Sequence, residues 1–288
     1  MTFSIVAYDP NETAWGVAVA SKFLAAAAVV SWAQAGAGAV ATQSNAKVSF
    51  GPQGLKHMAH GVRAGAVLAA LLHEDDGSSH RQVGMVDAQG GTAAHTGSEC
   101  SHWAGHRIGT GFTCQGNILT GPEVLEAMEA AYLGASGELA DRLYAALLAG
   151  DRAGGDRRGR QSAGLLVVRT GGGYGGDNDR YLDLRVDDDQ DPVVKLGSLL
   201  RAHHLFFGAT RPEDRVSVTA SLAHELQKLC LRAGVTQREP DGIWDDDARR
   251  SFDRLVGIEN LEERWPANDP HAVDAIVLAY LRERFPDP

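Results

Sequence analysis

Thr2-Phe3-Ser4-Ile5-Val6-Ala7-Tyr8-Asp9 opens the chain, and Pro10-Asn11-Glu12-Thr13 separates it from Trp15-Gly16-Val17-Ala18-Val19-Ala20-Ser21. β-Branched and aromatic residues on either side of a Pro/Asn turn predict two strands folded back on one another. A hairpin of this length ends its second strand, at Ser21 and Lys22, beside Thr2. Trimming of Met1 leaves Thr2 with a hydroxyl and a free α-amine, so one residue supplies both nucleophile and base. The amine's pKa of about 7.7 to 8.0 suits it to take the hydroxyl proton at working pH. The alternating Phe3, Ile5 and Ala7 are expected to lock that end of the chain into a sheet.

Outward from this hairpin, residues 29–32 and 38–42 predict further strand, and 52–73 one helix with Leu55, Met58, Val62, Ala66 and Leu72 at helical spacing. Residues 83–87, 92–96 and 111–115 predict strands, and 123–133 and 139–149 two helices, the second stopping at Gly150. Residues 162–169 and 181–186 form a last strand pair around a glycine-rich turn at 171–176, and 192–207 a helix. This order predicts an α+β fold of two antiparallel sheets with helices outside, a four-layer sandwich. Periodicity lapses over 207–214, dividing the chain into a domain of residues 1–208 and a small all-α domain of residues 209–288, with helices at 222–231, 248–255 and 272–285.

Of the 288 residues 44% are hydrophobic, enough for a buried core, and the formal charge of -10 excludes an obvious phosphate-binding surface. No nucleic-acid partner is expected. Cys100, Cys114 and Cys230 lack CxxC spacing and are expected as reduced thiols in a cytoplasmic protein. The apolar run 23–30 followed by Ala33-Gln34-Ala35 imitates a signal peptide, but Asp9 and Glu12 precede its only lysine. Ser31 and Gln34 break it well short of the roughly 18 residues of a membrane span, so neither export nor a membrane partner is expected.

Other polar clusters frame Thr2. Lys22 is a candidate cation that would favour the neutral amine, against the alternative of a solvated strand-end lysine. Thr42-Gln43-Ser44-Asn45 follows a strand and offers donors for an oxyanion, against a plain polar turn. Gln115-Gly116-Asn117 and the run from Gly155 through Asp156, Arg157, Arg158 and Arg160 to Ser162 are candidate cleft linings. The arginines suit a carboxylate-bearing small molecule, against solvated or ion-paired side chains. Glu99, Cys100, His102 and His106, and His57 with His60, have metal-like spacings that 11 histidines produce by coincidence, so no metal is assigned. The 171–176 glycines lack the GK[ST] of a phosphate loop, and Asp187-Asp188-Asp189 lacks calcium-loop spacing.

TFSIVAYDP, WGVAVASKF, GAVATQSNA, GPQGL, TGSEC, QGN, GDRRGRQSAGLLVV and YLDLRVDD, in this order, resemble the DUF1028 family, placed in the N-terminal-nucleophile (Ntn) hydrolase superfamily. The resemblance runs from Thr2 to about Leu200. It implies an αββα sandwich, Thr2 as nucleophile, Ser21 and Lys22 as supporting groups, and Thr42 and Gln43 near the oxyanion strand. Asn117, Asp156 and Arg157 are carried over as further site residues. The tail, with Leu226-Gln227, Gly234, Asp241-Gly242-Ile243-Trp244, Phe252 and Gly257-Ile258, resembles peptidoglycan-binding-like helical modules. A helical accessory domain sharing that fold is the preferred expectation, since fold does not fix function.

These readings predict a cofactor-independent hydrolase acting on a carbon–nitrogen, amide-like bond of a small molecule, outside peptide bonds. The alternative is a non-catalytic ligand- or glycan-binding protein on the same scaffold. Exposed sheet edges and apolar helices favour a homodimer, and the tail a glycan or protein partner.

Overall fold

In the computed structural model, which describes residues 2–265 and 269–287, the opening hairpin pairs β1 (Thr2–Asp9) with β2 (Ala14–Ser21) from Phe3↔Ala20 to Asp9↔Ala14. Met1, whose removal the Thr2 reading requires, lies outside the described residues. Asp9 closes the turn: its Oδ1 accepts from the Asn11 N–H at 2.8 Å, and Arg142 donates to its Oδ2 at 2.7 Å. The chain divides into two units, residues 1–200 and 201–288.

In the first unit the hairpin is followed by α1 (Ala26–Val30), β3 (Ser31–Gln34), β4 (Gly38–Gln43), α2 (Phe50–Ala59), α3 (Ala64–His73), β5 (Gln82–Asp87) and β6 (Thr92–Thr96). Then come β7 (Gly105–Gly109), β8 (Phe112–Asn117), α4 (Glu123–Gly134), α5 (Leu139–Arg152), β9 (Ser162–Val168), β10 (Arg180–Val186) and the start of α6 (Pro192–Phe207), whose residues past Leu200 belong to the second unit. Two antiparallel sheets result, one ordered β10-β9-β2-β1-β8-β7 and the other β3-β4-β5-β6.

Strand alternation sorts the core. Phe3, Ile5 and Ala7 bury against Met128, Leu143 and Leu147 of α4 and α5, together with Leu196 of α6. Val6, Val17 and Val19 point the other way and meet Ala39, Ala41 and Val86 of the four-stranded sheet. The far side of that sheet, through Val40, Val83 and Met85, packs on Phe50, Met58 and Leu68 of α2 and α3. The first unit is therefore a mixed α+β body of two antiparallel sheets with helices against both.

Several expected elements are corrected. The single helix over 52–73 is two, because Gly61 takes φ +81° and Asp87 Oδ2 accepts from the Ala64 N–H at 3.1 Å, restarting the helix as α3. Residues 29 and 30 end a short helix instead of opening a strand. Gly150 does not stop α5; a Cβ there would fall 2.7 Å from Met128 Cγ, so the glycine serves close packing on α4. The edge strand β7 escaped the periodicity reading altogether.

The second unit holds β11 (Arg215–Ser217), α7 (Ala220–Arg232), α8 (Asp246–Ile258), β12 (Ala272–Asp274) and α9 (Ala275–Arg284), with β11 and β12 as an antiparallel ribbon that the expected all-α tail lacked. Leu226, Leu255, Val277 and Leu281 form its core. Gln227 is buried and pins the 241–243 loop: its Oε1 accepts from the Asp241 and Gly242 N–H groups at 2.9 and 2.8 Å, and its Nε2 donates to the Ile243 carbonyl at 3.0 Å. Among the described residues no helix is long and apolar enough to cross a membrane.

Candidate functional site

Thr2 lies at the end of a central strand, 7% exposed, between β2 and β8. Its parity, shared with Ser4 and Val6, turns its side chain to the inter-sheet side. There its hydroxyl is 3.1 Å from that of Ser21, the last residue of β2. On its other flank Thr2 pairs in register with Asn117, the last residue of β8. Of the candidates read from sequence, Ser21 and Asn117 thus join Thr2 directly.

Gln43 joins them through its amide. Nε2 donates to the Thr2 carbonyl at 3.2 Å and to Gln82 Oε1 at 2.9 Å, while Oε1 accepts from Ser4 Oγ at 2.7 Å. That saturation suits it to hold Thr2 in place and leaves little for an oxyanion. Thr42 is fully buried, and its hydroxyl donates to the Lys47 carbonyl at 3.3 Å. Asn45 is exposed, and Arg81 donates to its carbonyl. The Lys22 side chain is also exposed; its backbone N–H donates to Asp156 Oδ2 at 2.8 Å.

Asp156 is buried and organises the arginine loop, its Oδ1 accepting from the Arg158 N–H at 2.9 Å. Arg157 donates to the Leu119 carbonyl at 3.3 Å, and Arg160 pairs with Asp151 at 2.7 Å and Asp191 at 3.2 Å. Instead of forming one cationic fork, the arginines reach separate protein groups.

Of the polar layer between the sheets, sequence reasoning singled out Gln115 as a cleft lining and missed Ser4, Gln82 and Thr113. Ser4, Gln82, Thr113 and Gln115 are fully buried, and Gln115 Nε2 donates to Ser4 Oγ at 2.7 Å while Thr113 donates to Gln115 Oε1 at 2.8 Å. The available signal was parity: all four share the strand faces that carry Thr2, Val6 and their partners. A second unread group is Asp75, Arg81 and Lys47, where Arg81 Nε and Lys47 Nζ stand 2.8 and 3.1 Å from the Asp75 carboxylate. The Arg81 hydrogen bond, with that of Lys47, outweighs burial and holds the Asp75 pKa down at about 2.

The backbone at this end of the sheets is strained. Ser44 (φ 57°) and Asn45 (φ 46°) directly follow β4, and Ile118 (φ 49°) follows Asn117. Left-handed conformations are costly for such side chains, most of all for a β-branched one, and tend to cluster at functional sites. The Ile118 N–H donates to the Ser101 carbonyl at 2.9 Å, which holds the turn in place.

A cavity of about 340 Å³ opens on the helix side of the same sheet end. Phe3, Ala20 and Val193 form its apolar lining, and Ser21, Asp156 and Arg160 its polar lining. Thr2 itself does not line it, so the cavity and the inter-sheet hydroxyl pair meet only at Ser21. Among the described residues no three His, Cys, Asp or Glu side chains converge to hold a metal ion. Cys114 and Cys230 are buried free thiols, and Cys100 is half-buried.

A family model described as "Family of unknown function (DUF1028)" matches residues 2–196, and one described as "Putative peptidoglycan binding domain" matches residues 206–281. The fold is similar to the crystal structure of protein SPO2555 from Silicibacter pomeroyi, itself described by the DUF1028 family model. The TM-score is 0.65 and the identity 30%, over 70% of this chain and 86% of that one. No match was found among curated proteins.

Proposed function

The chain belongs to the DUF1028 family, a family of unknown function, and on that premise we propose that its first unit is an Ntn-type hydrolase in which Thr2, freed by cleavage of the Met1–Thr2 bond, attacks an amide-like carbon. The observation that carries this reading is the setting of Thr2: a central-strand terminus, 3.1 Å from a second hydroxyl, its carbonyl held by a buried amide. The succession of helices, sheet, sheet and helices supports an αββα sandwich of the Ntn kind.

In the proposed reaction the α-amine takes the Thr2 hydroxyl proton as Oγ1 bonds to the substrate carbon, and it returns that proton to the departing nitrogen. Water then attacks the resulting ester and restores the hydroxyl. Ser21 holds the nucleophile's oxygen in line. Asn117, beside Thr2 on β8, gives one Nδ2 hydrogen to Gln82 and supplies the other to the reacting carbonyl. The substrate is a small amide, with the 340 Å³ cavity that meets the hydroxyl pair at Ser21 as the place for the rest of it, its apolar portion against Phe3, Ala20 and Val193. No cofactor enters this scheme.

A β-lactone tests it directly. Thr2 Oγ1 opens the lactone ring, the hydroxyl proton passes to the released alkoxide, and the protein gains the whole mass of the probe. The expected result is a single adduct mapped to Thr2, lost in Thr2→Ala; a reactive protein that retains Met1 excludes the mechanism.

For the second unit, the peptidoglycan-binding model match favours glycan recruitment as a separate reading. A cavity of about 190 Å³ lined by Trp244, Arg249 and Asp269 offers an aromatic wall with charged edges for it.

A further inference from the structure

We infer that Gln82 is the positioning residue of the Thr2 site, an inference that rests on the Thr2 reading above. Gln82 opens β5 on the four-stranded sheet, yet its fully buried side chain bonds mostly to residues of the other sheet. Its Oε1 accepts from Asn117 Nδ2 and from Gln43 Nε2, each at 2.9 Å. Its Nε2 points toward the Gly116 carbonyl at 2.7 Å, the Gly105 carbonyl at 3.0 Å and Thr96 Oγ1 at 3.0 Å.

This donor and acceptor pattern admits one orientation. Turning the Gln82 amide over would set its NH2 against two other NH2 groups and its oxygen against two carbonyls. Because Gln82 Oε1 receives both amides, it fixes which way each of them points. Gln43 then presents Nε2 to the Thr2 carbonyl. Asn117, 2% exposed and in register with Thr2, gives one Nδ2 hydrogen to Gln82 and keeps the second for the reacting carbonyl. One amide therefore sets the strand end that carries the nucleophile and the orientation of the amide beside it. Gln82 touches no reacting atom; it acts through Gln43 and Asn117.

The substitution Gln82→Glu separates this role from mere packing. In that variant a protonated carboxyl reproduces the pattern, with its O–H toward the Gly116 carbonyl. Once ionised, the new side chain opposes two carbonyls with a second lone-pair-bearing oxygen. Wild-type adduct formation with the β-lactone should rise with pH as the amine deprotonates, near pH 7.7 to 8.0. Gln82→Glu should match it at the lowest pH and fall behind as pH rises. Gln82→Leu, which leaves both donors unanswered, should react about tenfold to a hundredfold more slowly at every pH, as expected for a displaced reacting group.

The measurement is the rate of adduct formation at Thr2 by intact mass from pH 6 to 9, with circular dichroism confirming folded protein. A folded Gln82→Leu or Gln82→Glu with the wild-type rate and pH profile overturns the inference while leaving Thr2 as nucleophile. Where Gln82→Leu does not fold, the pH profile of Gln82→Glu decides alone. A wild-type protein that forms no Thr2 adduct overturns the nucleophile reading and this inference with it.

Discussion

The hydroxyls of Thr2 and Ser21 lie 3.1 Å apart although they stand nineteen positions apart in the chain. One step beyond the Phe3↔Ala20 pair of the first hairpin is enough to bring them together. Ser21 is 2% exposed, so its hydroxyl is largely withheld from bulk water and directed by protein groups. Ser21→Ala removes one hydrogen-bonding group from the Thr2 hydroxyl, a net loss of about 0.5 to 1.5 kcal/mol. Thr2 adduct formation is expected to slow roughly two- to twelvefold by that conversion, and the same loss lowers the thermal midpoint by roughly 1 to 6 °C. A rate equal to wild type would show that Ser21 does not orient Thr2.

Acid is expected to weaken the first unit through Asp75. The folded pKa of about 2 lies below the unfolded value of 3.8, chiefly because Arg81 and then Lys47 hydrogen-bond the carboxylate. The stabilisation is thus complete above about pH 4 and is lost as pH falls from there toward 2. With both cations partly exposed to solvent, it amounts to about 1 kcal/mol. Asp75→Asn is expected to lower stability at pH 7 and to flatten the wild-type decline between pH 4 and 2, as read from urea midpoints against pH. Parallel declines in the two proteins would remove Asp75 as a source of acid sensitivity.

The hairpin that carries Thr2 was legible because Phe3, Ile5 and Ala7 alternate with residues bound for the other face, and a strand's period of two leaves one register that buries both sets. The helix over 52–73 was read as continuous because α2 and α3 bury apolar residues against the same sheet, so the periodicity crosses Gly61 without a lapse. β7 gave no signal because His106, Arg107 and Ile108 are exposed on an edge strand between two glycines. Thr2 and Ser21 were readable from their places at strand ends. Gln82 was not, since an amide at an inward strand position looks like an ordinary solvent-facing residue until a facing strand supplies its partners. For the arginine run the choice between an anion site and ion-paired side chains stays open in the sequence, because spacing shows proximity along the chain; it cannot show that Asp151 and Asp191 lie within reach of the same loop.

The second unit depends on a buried ion pair. Arg264, 4% exposed, stands 3.1 Å from Asp274, 0% exposed, and Thr210 donates to the same carboxylate at 2.6 Å. Asp274 also caps α9, accepting from the Ile276 and Val277 N–H groups at 2.7 and 2.9 Å. Burial raises its pKa, but the hydrogen bonds from Thr210, the Val277 N–H and Arg264 outweigh it and hold the carboxyl below its usual value. Arg264→Met strands that carboxylate without its cation, at a cost of about 3 to 5 kcal/mol. Tryptophan fluorescence during urea unfolding, reporting Trp244 and Trp265, should show an early transition for this unit; an unmoved transition would mean that Asp274 finds another partner or water.

Two glycine-to-alanine changes should have opposite signs. Gly84 lies on β5 facing β8, where an added Cβ would fall 2.1 Å from Gln115 Oε1 and 2.5 Å from Thr113 Oγ1. Both atoms belong to the inter-sheet polar layer, and Gln115 cannot retreat freely because its Nε2 holds Ser4 Oγ, which in turn donates to Gln43 Oε1. Gly84→Ala should cost about 1 to 3 kcal/mol of overpacking, roughly 2 to 4 °C per kcal/mol for a unit of this size. It should also slow Thr2 adduct formation, because the displacement passes through Gln43 to the Thr2 carbonyl. Gly65 sits exposed in α3 at ordinary helical φ, with nothing within 4 Å of its Cβ position. Gly65→Ala should therefore stabilise by about 0.4 to 1 kcal/mol, mainly by restricting the unfolded chain, and leave the adduct rate untouched. A Gly84→Ala protein with wild-type midpoint and wild-type adduct rate would mean that the sheets have room to part there, and that the buried amides do not couple to Thr2.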